Sequence, residues 1–223
     1  MSIQLKNINK IYNAGKKNEN HVLKDVSLTV DDGEMVAIIG RSGSGKSTLL
    51  HILGCLDTSS SGEYTLDGIH VNDLSEQERA MVRNTKIGYI LQDFGLISED
   101  TVLENVMLPM MFDDTPMGKI KQRALDALRQ VEMEQLQGNK VATLSGGEKQ
   151  RTAIARALVK NPEYILADEP TGALDTENAE IFMENLIHLH EMGKTIIMVT
   201  HDLELASRLN RTCRIVDGEL IAE

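Results

Sequence analysis

Apolar and polar residues follow two rhythms along this chain. Residues 2–12 read as a strand, and 22–30 alternates with a period of two through Val22, Val26, Leu28 and Val30. Between them 13–20 is polar, with Gly15 and two lysines, and reads as a hairpin loop. A short apolar run at 34–39 ends before Gly40, the pattern of a buried parallel strand. A glycine- and serine-rich loop follows, then an apolar helix at 48–56 and another strand at 86–91. The stretch 101–137 is helical in character, with Met107, Leu108, Met110 and Met111, then Ile120, Ala124, Leu125, Leu128 and Val131, interrupted by Pro109 and Pro116. Ser145 begins a further helix. After it come a strand (163–167), a helix (177–191), a strand (195–200), a helix (203–209) and a strand (211–216). An Asp217-Gly218 turn leads to a short last strand. Alternating strands and helices predict an α/β fold with a mostly parallel sheet and helices on both faces. The helix-rich middle breaks that alternation. The expected organisation is a single domain over 1–223, with a core from 1–91 and 151–223 that includes an N-terminal antiparallel β part, and an inserted α-helical lobe at 92–150.

Composition narrows the partners. The chain has 223 residues, 41% of them hydrophobic, enough for a core without disulfide or metal staples. Aromatic residues are 3% and Trp is absent, which leaves little surface for stacking single-stranded bases. A net charge of −11 argues against nucleic acid as a partner, because phosphate backbones are held by Lys and Arg. Cys55 and Cys213 sit in partly apolar stretches and read as reduced, half-buried thiols. The start, MSIQLKNINK, has no apolar signal core, and no run reaches the ~20 apolar residues that span a bilayer. The expectation is a cytoplasmic protein whose membrane role comes through a partner.

Gly40-Arg41-Ser42-Gly43-Ser44-Gly45-Lys46-Ser47 matches G-x-x-x-x-G-K-[ST] at every fixed position, between an apolar strand and a helix. Gly40, Gly43 and Gly45 let backbone N–H groups around Ser42 and Ser44 converge on one anion. The helix that follows, with Thr48 in its first turn, adds its positive end. Lys46 sets a full charge against the β- and γ-phosphates, and Ser47 offers a hydroxyl to Mg2+, a hard ion that prefers oxygen. This loop predicts a P-loop NTPase core and names no reaction. Tyr164-Ile165-Leu166-Ala167 ends in Asp168-Glu169. Carboxyl ends of parallel strands line the ligand crevice. Asp168 then reaches the Mg2+ region, and Glu169 can face the γ-phosphate and polarise the attacking water. A bare strand end turning at Pro170 is the plainer alternative for the pair.

Leu144-Ser145-Gly146-Gly147-Glu148-Lys149-Gln150-Arg151 opens the helix at 152–159. Ser145 and Glu148 form an S-x-x-E capping box. The Ser145 hydroxyl with the N–H groups of Gly146 and Gly147 also makes a second anion site. One nucleotide has one γ-phosphate, yet this chain carries two phosphate-binding devices.

Taken with the phosphate loop and the Asp-Glu pair, LSGGEKQR resembles the signature of the ABC ATPase family, and the resemblance covers nearly the whole chain in the family's order. It implies a RecA-like core, ATP and Mg2+ as cofactors, and a homodimer packed head to tail, each ATP held between one phosphate loop and the partner's signature. It further implies that Tyr12, at the end of the first strand, stacks on adenine; a core or edge-strand role is the alternative. By the same resemblance Gln92 is the glutamine that touches Mg2+ and leads into the helical lobe. Gly172-Ala173-Leu174-Asp175 resembles the loop that crosses the dimer interface, and His201 the histidine that contacts the γ-phosphate. His188 and His190 lie two apart on a helix and share no face, so no metal site is expected there. The fifth signature residue is Glu148 where the commonest version has Gln. That variant and the phrase 168–175, DEPTGALD, resemble the branch of lipoprotein-release, macrolide-export and antimicrobial-peptide-export ATPases. The resemblance implies an integral membrane permease as partner, a periplasmic or extracellular adaptor, attachment to the inner face of the cell membrane, and no appended regulatory domain. Two rivals stay open: a membrane-docked regulatory ATPase of the cell-division type, and an ABC ATPase acting on nucleic acid or ribosomes.

Overall fold

The computed structural model describes residues 2–172 and 174–222. In chain order its regular elements are β1 (Ser2–Tyr12), β2 (Asn20–Asp31), β3 (Met35–Ile39), α1 (Lys46–Leu53), β4 (Ser61–Leu66), β5 (Ile69–His70), α2 (Glu76–Lys86), β6 (Ile87–Ile90) and α3 (Val102–Met107). Then come α4 (Met117–Gln130), α5 (Gly146–Leu158), β7 (Tyr164–Asp168), α6 (Thr176–Glu191), β8 (Thr195–Thr200), α7 (Leu203–Ala206), β9 (Arg211–Val216) and β10 (Glu219–Ala222). They form two compact units, one from the chain up to Arg83 and from Gly193 onward, the other Asn84–Met192.

The first unit holds an antiparallel sheet in the order β2-β1-β4-β5. Ile3, Leu5 and Ile8 of β1 face Val30, Leu28 and Val26 of β2, and all six are buried. Asn7 and Asp25 take positive φ of 50° and 48° where the register shifts, so each strand bulges and keeps its apolar side inward. The unit's second sheet runs β10-β9-β3-β8. β3 is parallel to both β8 and β9, and every residue of β3 and β8 is buried. Two covered faces explain why these strands read as unbroken apolar runs. The expected Asp217-Gly218 turn joins β9 to β10 with φ of 49° and 88°. Register decides what lies together at the sheet's end: Ile39 sits opposite Thr200, so the loop starting at Gly40 and the residue His201 leave neighbouring strands side by side.

The second unit pairs β6 parallel to β7, with Ile90 opposite Ala167, and packs α3, α4 and α5 together. Each helix starts where the sequence stops it from starting earlier. Thr101 and Glu104 form a full capping box on α3, and Pro116 precedes α4. α4 buries Ile120, Ala124, Ala127 and Leu128 along one face. The predicted interruptions at Pro109 and Pro116 are real: a 3-10 turn at Leu108–Phe112 separates α3 from α4. Both cysteines are fully buried rather than half-buried, at 2% and 1% exposure. Burial pushes the Cys55 thiol up to about 11, so it stays protonated at neutral pH.

Candidate functional site

In the first unit β3 stops at Ile39, and the chain turns through 40–45 into α1. A Cβ on Gly40 would stand 2.5 Å from the Ile215 carbonyl oxygen, and Gly45 takes φ 109° as the residue before α1. Neither position admits a side chain without moving backbone. Gly45 caps α1 and makes no side-chain cap hydrogen bond. Lys46 is 7% exposed and its ammonium donates to the carbonyls of Gly40 at 2.9 Å and Arg41 at 3.2 Å. The Ser44 hydroxyl is buried and has no hydrogen-bond partner among the described residues. A buried orphan hydroxyl in a loop of amides and one cation is what a bound anion would satisfy. Ser42, Gly43 and Ser47 are exposed on the same turn, Thr48 is half-buried, and His201 is exposed beside them at the end of β8.

Tyr12 lies where β1 ends, 36% exposed. Its hydroxyl donates to Asp57 at 2.8 Å, and the Lys10 ammonium sits 4.7 Å from the ring centroid. Lys10 also bonds Asp57 at 2.6 Å and the Thr58 carbonyl at 2.7 Å. Burial would raise the Asp57 carboxyl, but the hydrogen bonds from Lys10 and Tyr12 outweigh it and hold the group below its ordinary value. Burial and then Asp57 push the Tyr12 phenol up, so it remains a neutral donor. One ring face is covered by a cation. Neither Lys10 nor Asp57 was singled out in the sequence, because only folding brings β1 against the segment after α1.

In the second unit, Ile90 and Ala167 lie in register, so Gln92 and the pair Asp168-Glu169 leave the same end of two adjacent strands. Asp168 is buried at 9% exposure, Glu169 half-buried and Gln92 exposed. Glu169 takes φ 44°, the left-handed region that side-chain-bearing residues rarely enter. Such strain costs about 1–3 kcal/mol and persists where the surroundings over-determine it. A Cβ on Gly172 would lie 3.6 Å from the Gln92 amide nitrogen and 3.4 Å from the Glu169 carbonyl, so these groups surround one turn.

The signature opens α5 in the same unit. The Ser145 side chain accepts from the Glu148 N–H, and Glu148 accepts from the Ser145 N–H at 2.7 Å and hydroxyl at 2.8 Å, so the predicted capping box is complete. The Ser145 N–H and then its hydroxyl hold the Glu148 carboxyl below its ordinary range. Ser145 and Gly146 are exposed, whereas Gly147 is buried against Asn178, whose side chain leaves no room for a Cβ. A Cβ on Gly146 would lie 3.7 Å from Leu174 Cδ2, and Asp175 caps α6. Ala173 lies outside the described residues. His188 and His190 join no metal-holding cluster among the described residues.

The family profile described as ABC transporter matches residues 23–172. An uncharacterized ABC transporter ATP-binding protein of Bacillus subtilis, YvrO, is 48% identical over 99% of this chain and 96% of its own length. The chain belongs to the ABC transporter family. The macrolide export ATP-binding/permease protein MacB of Neisseria meningitidis is 47% identical over 99% of this ABC cassette, which spans 34% of MacB. The dimeric post-hydrolysis structure of the ATP-binding cassette MJ0796, bound to ADP and Pi, superposes with a TM-score of 0.88 at 44% identity, covering 98% of this chain and 96% of the other. The cassette is an ATP-binding, ATP-hydrolysing domain of the α/β class expected, with an antiparallel N-terminal sheet and strands that are otherwise largely parallel. No helix among the described residues is long and apolar enough to cross a membrane.

Proposed function

We propose that two copies of this cassette pack head to tail and clamp two ATP molecules, and that closing and opening of the pair drives a membrane permease of the export or mechanotransmission type. The observation that carries this is the presence, in one chain, of two glycine-framed helix starts, one at Gly45-Lys46 and one at Ser145–Gly147. A single nucleotide needs one such device for its terminal phosphate, and the exposed signature is available to a second copy. In this reading Tyr12 stacks on adenine, while residues 40–48 hold the phosphates. The oxygen donors Ser47, Gln92 and Asp168 suit Mg2+, a hard ion that takes oxygen ligands and neutralises phosphate charge. Glu169 orients and polarises the attacking water, and His201 contacts the γ-phosphate. A positioned base supplies about 10²–10⁴-fold in rate. Closure is favoured because ATP binds the closed pair better than the open one, and loss of the γ-phosphate removes that difference. The lobe at 92–150 carries the motion to the permease, on the cytoplasmic face of the membrane, with a periplasmic or extracellular adaptor beyond it. The relatives named as ATP-binding/permease proteins support a permease partner.

Mixed dimers test the arrangement. One copy carries Ser145→Arg and the other Lys46→Ala. If sites are shared head to tail, one composite site keeps both intact devices and the mixed dimer hydrolyses ATP. If each copy uses its own signature, both sites are broken and activity disappears.

A further inference from the structure

α5 touches more than the phosphate its signature would meet. It has 13 residues, so at about 1.5 Å per residue it is a bar roughly 20 Å long. Its first end is the capped Ser145 turn. In its middle, buried Gln150 donates to the Pro170 carbonyl at 2.9 Å, holding the turn that follows Glu169. In its last turn, Arg156 donates through Nη2 to the Phe94 carbonyl at 2.6 Å and through Nη1 to the Gly95 carbonyl. Phe94 and Gly95 take positive φ of 63° and 55°, and the two successive carbonyls meet the same guanidinium. The loop has a second anchor further on, where buried Asn105 of α3 accepts from the Ile97 N–H at 2.7 Å and donates to the Ile97 carbonyl at 3.0 Å. Burial lowers the Arg156 guanidinium while the Asp93 carboxylate counteracts it, so the group keeps its charge and its five donors.

We propose that Arg156 is a positioning residue that ties the loop bearing Gln92 to the signature helix, so that a displacement at Ser145–Gly147 is transmitted to Gln92 of the same chain. The proposal rests on the reading that Gln92 meets the nucleotide's Mg2+ and that the signature meets the partner's phosphate. Under it, one composite site reports its state to the other through a single rigid helix. Two carbonyls held by one planar fork leave the loop no freedom to lag behind α5, whereas a lysine ammonium is a point charge on a flexible stem and fixes no such orientation.

The test is a double-mutant cycle on the purified chain with MgATP, joined to amide hydrogen exchange. Arg156→Lys is expected to lower kcat about tenfold with KM unchanged, the scale of a sub-ångström misplacement of a reacting group. In a Gln92→Ala background the same change is expected to cost less than about twofold, because the residue it positions is gone. The Phe94 amide, which donates to the Leu91 carbonyl at 3.0 Å, should exchange faster in Arg156→Lys, while the Ile97 amide held by Asn105 keeps its protection. Equal fold losses in both backgrounds, or unchanged exchange at Phe94, overturn the proposal. A Gln92→Ala enzyme with wild-type rate and Mg2+ dependence would instead overturn the assignment of Gln92, and the coupling with it. Should Arg156→Lys not fold, Gly95→Ala disturbs the same loop while leaving α5 intact, since its Cβ would press on Leu91 Cδ1 at 2.6 Å. It must show the same exchange and the same dependence on Gln92, or the proposal fails.

Discussion

The helix starts at Gly45 and at Ser145 are built on opposite plans. At Gly45 no side chain caps the helix, the backbone is held in a conformation only glycine adopts easily, a serine hydroxyl is buried with no partner among the described residues, and a lysine is folded onto loop carbonyls. That turn is one that a bound anion would complete. At Ser145 the helix is capped by its own serine and glutamate, and the turn is exposed. That turn is complete before any phosphate arrives, which suits a surface presented to another copy of the chain. Under the proposed function, the contrast is between a site that would hold a nucleotide and one that would detect it.

The largest expected effect tests the chemistry that both turns serve. Glu169→Gln leaves both turns intact, so ATP binding persists while hydrolysis falls by about 10²–10⁴-fold, and gel filtration with ATP should show a closed dimer accumulating. Hydrolysis near the wild-type rate would remove Glu169 from the base role. Next comes Gly45→Ala. It forces a Cβ to 2.9 Å from Leu23 Cδ2 at φ 109°, costs more than about 1 kcal/mol in thermal unfolding, and weakens ATP binding to the isolated chain. Ser145→Ala makes a sharp counterpart, since losing the cap also costs about 1 kcal/mol but should leave binding to the isolated chain unchanged. The smallest effect is expected for Glu148→Gln, which keeps an acceptor for the Ser145 N–H and should shift stability by a few tenths of a kcal/mol, about what separates good caps. The two forms should part in acid. The folded Glu148 carboxyl sits below its ordinary 4.5, so its contribution is complete above that value and is lost as pH falls through the lowered one. The Gln form lacks that loss, and melting curves between neutral and acid pH would show it.

How much of this was legible in the chain depended on whether the signal was local. The strands β3, β7 and β8 declared themselves as apolar runs because all of their residues are buried. The loop at 40–47 and the capping box at Ser145 are short-range devices, readable at fixed spacings. β4 went unread, because SGEYTL has no apolar run and becomes a strand only by pairing Tyr64 with Leu5 of β1. α2 went unread too. None of its residues is buried, so it has little apolar rhythm, although the Ser75–Glu78 cap that starts it was there to be found.

The sequence alone determined the chemistry of each turn, since glycines, a lysine, paired carboxylates and a helix cap act through backbone geometry within a few residues. Only the tertiary structure decided which of those turns stand together. Strand register put His201 beside Gly40 and Gln92 beside Asp168, and the long side chains of Lys10, Gln150 and Arg156 reached loops far away in sequence. A side chain's distant partner leaves no periodic mark on the chain, because what selects it is the packing of whole elements and not the order of neighbouring residues.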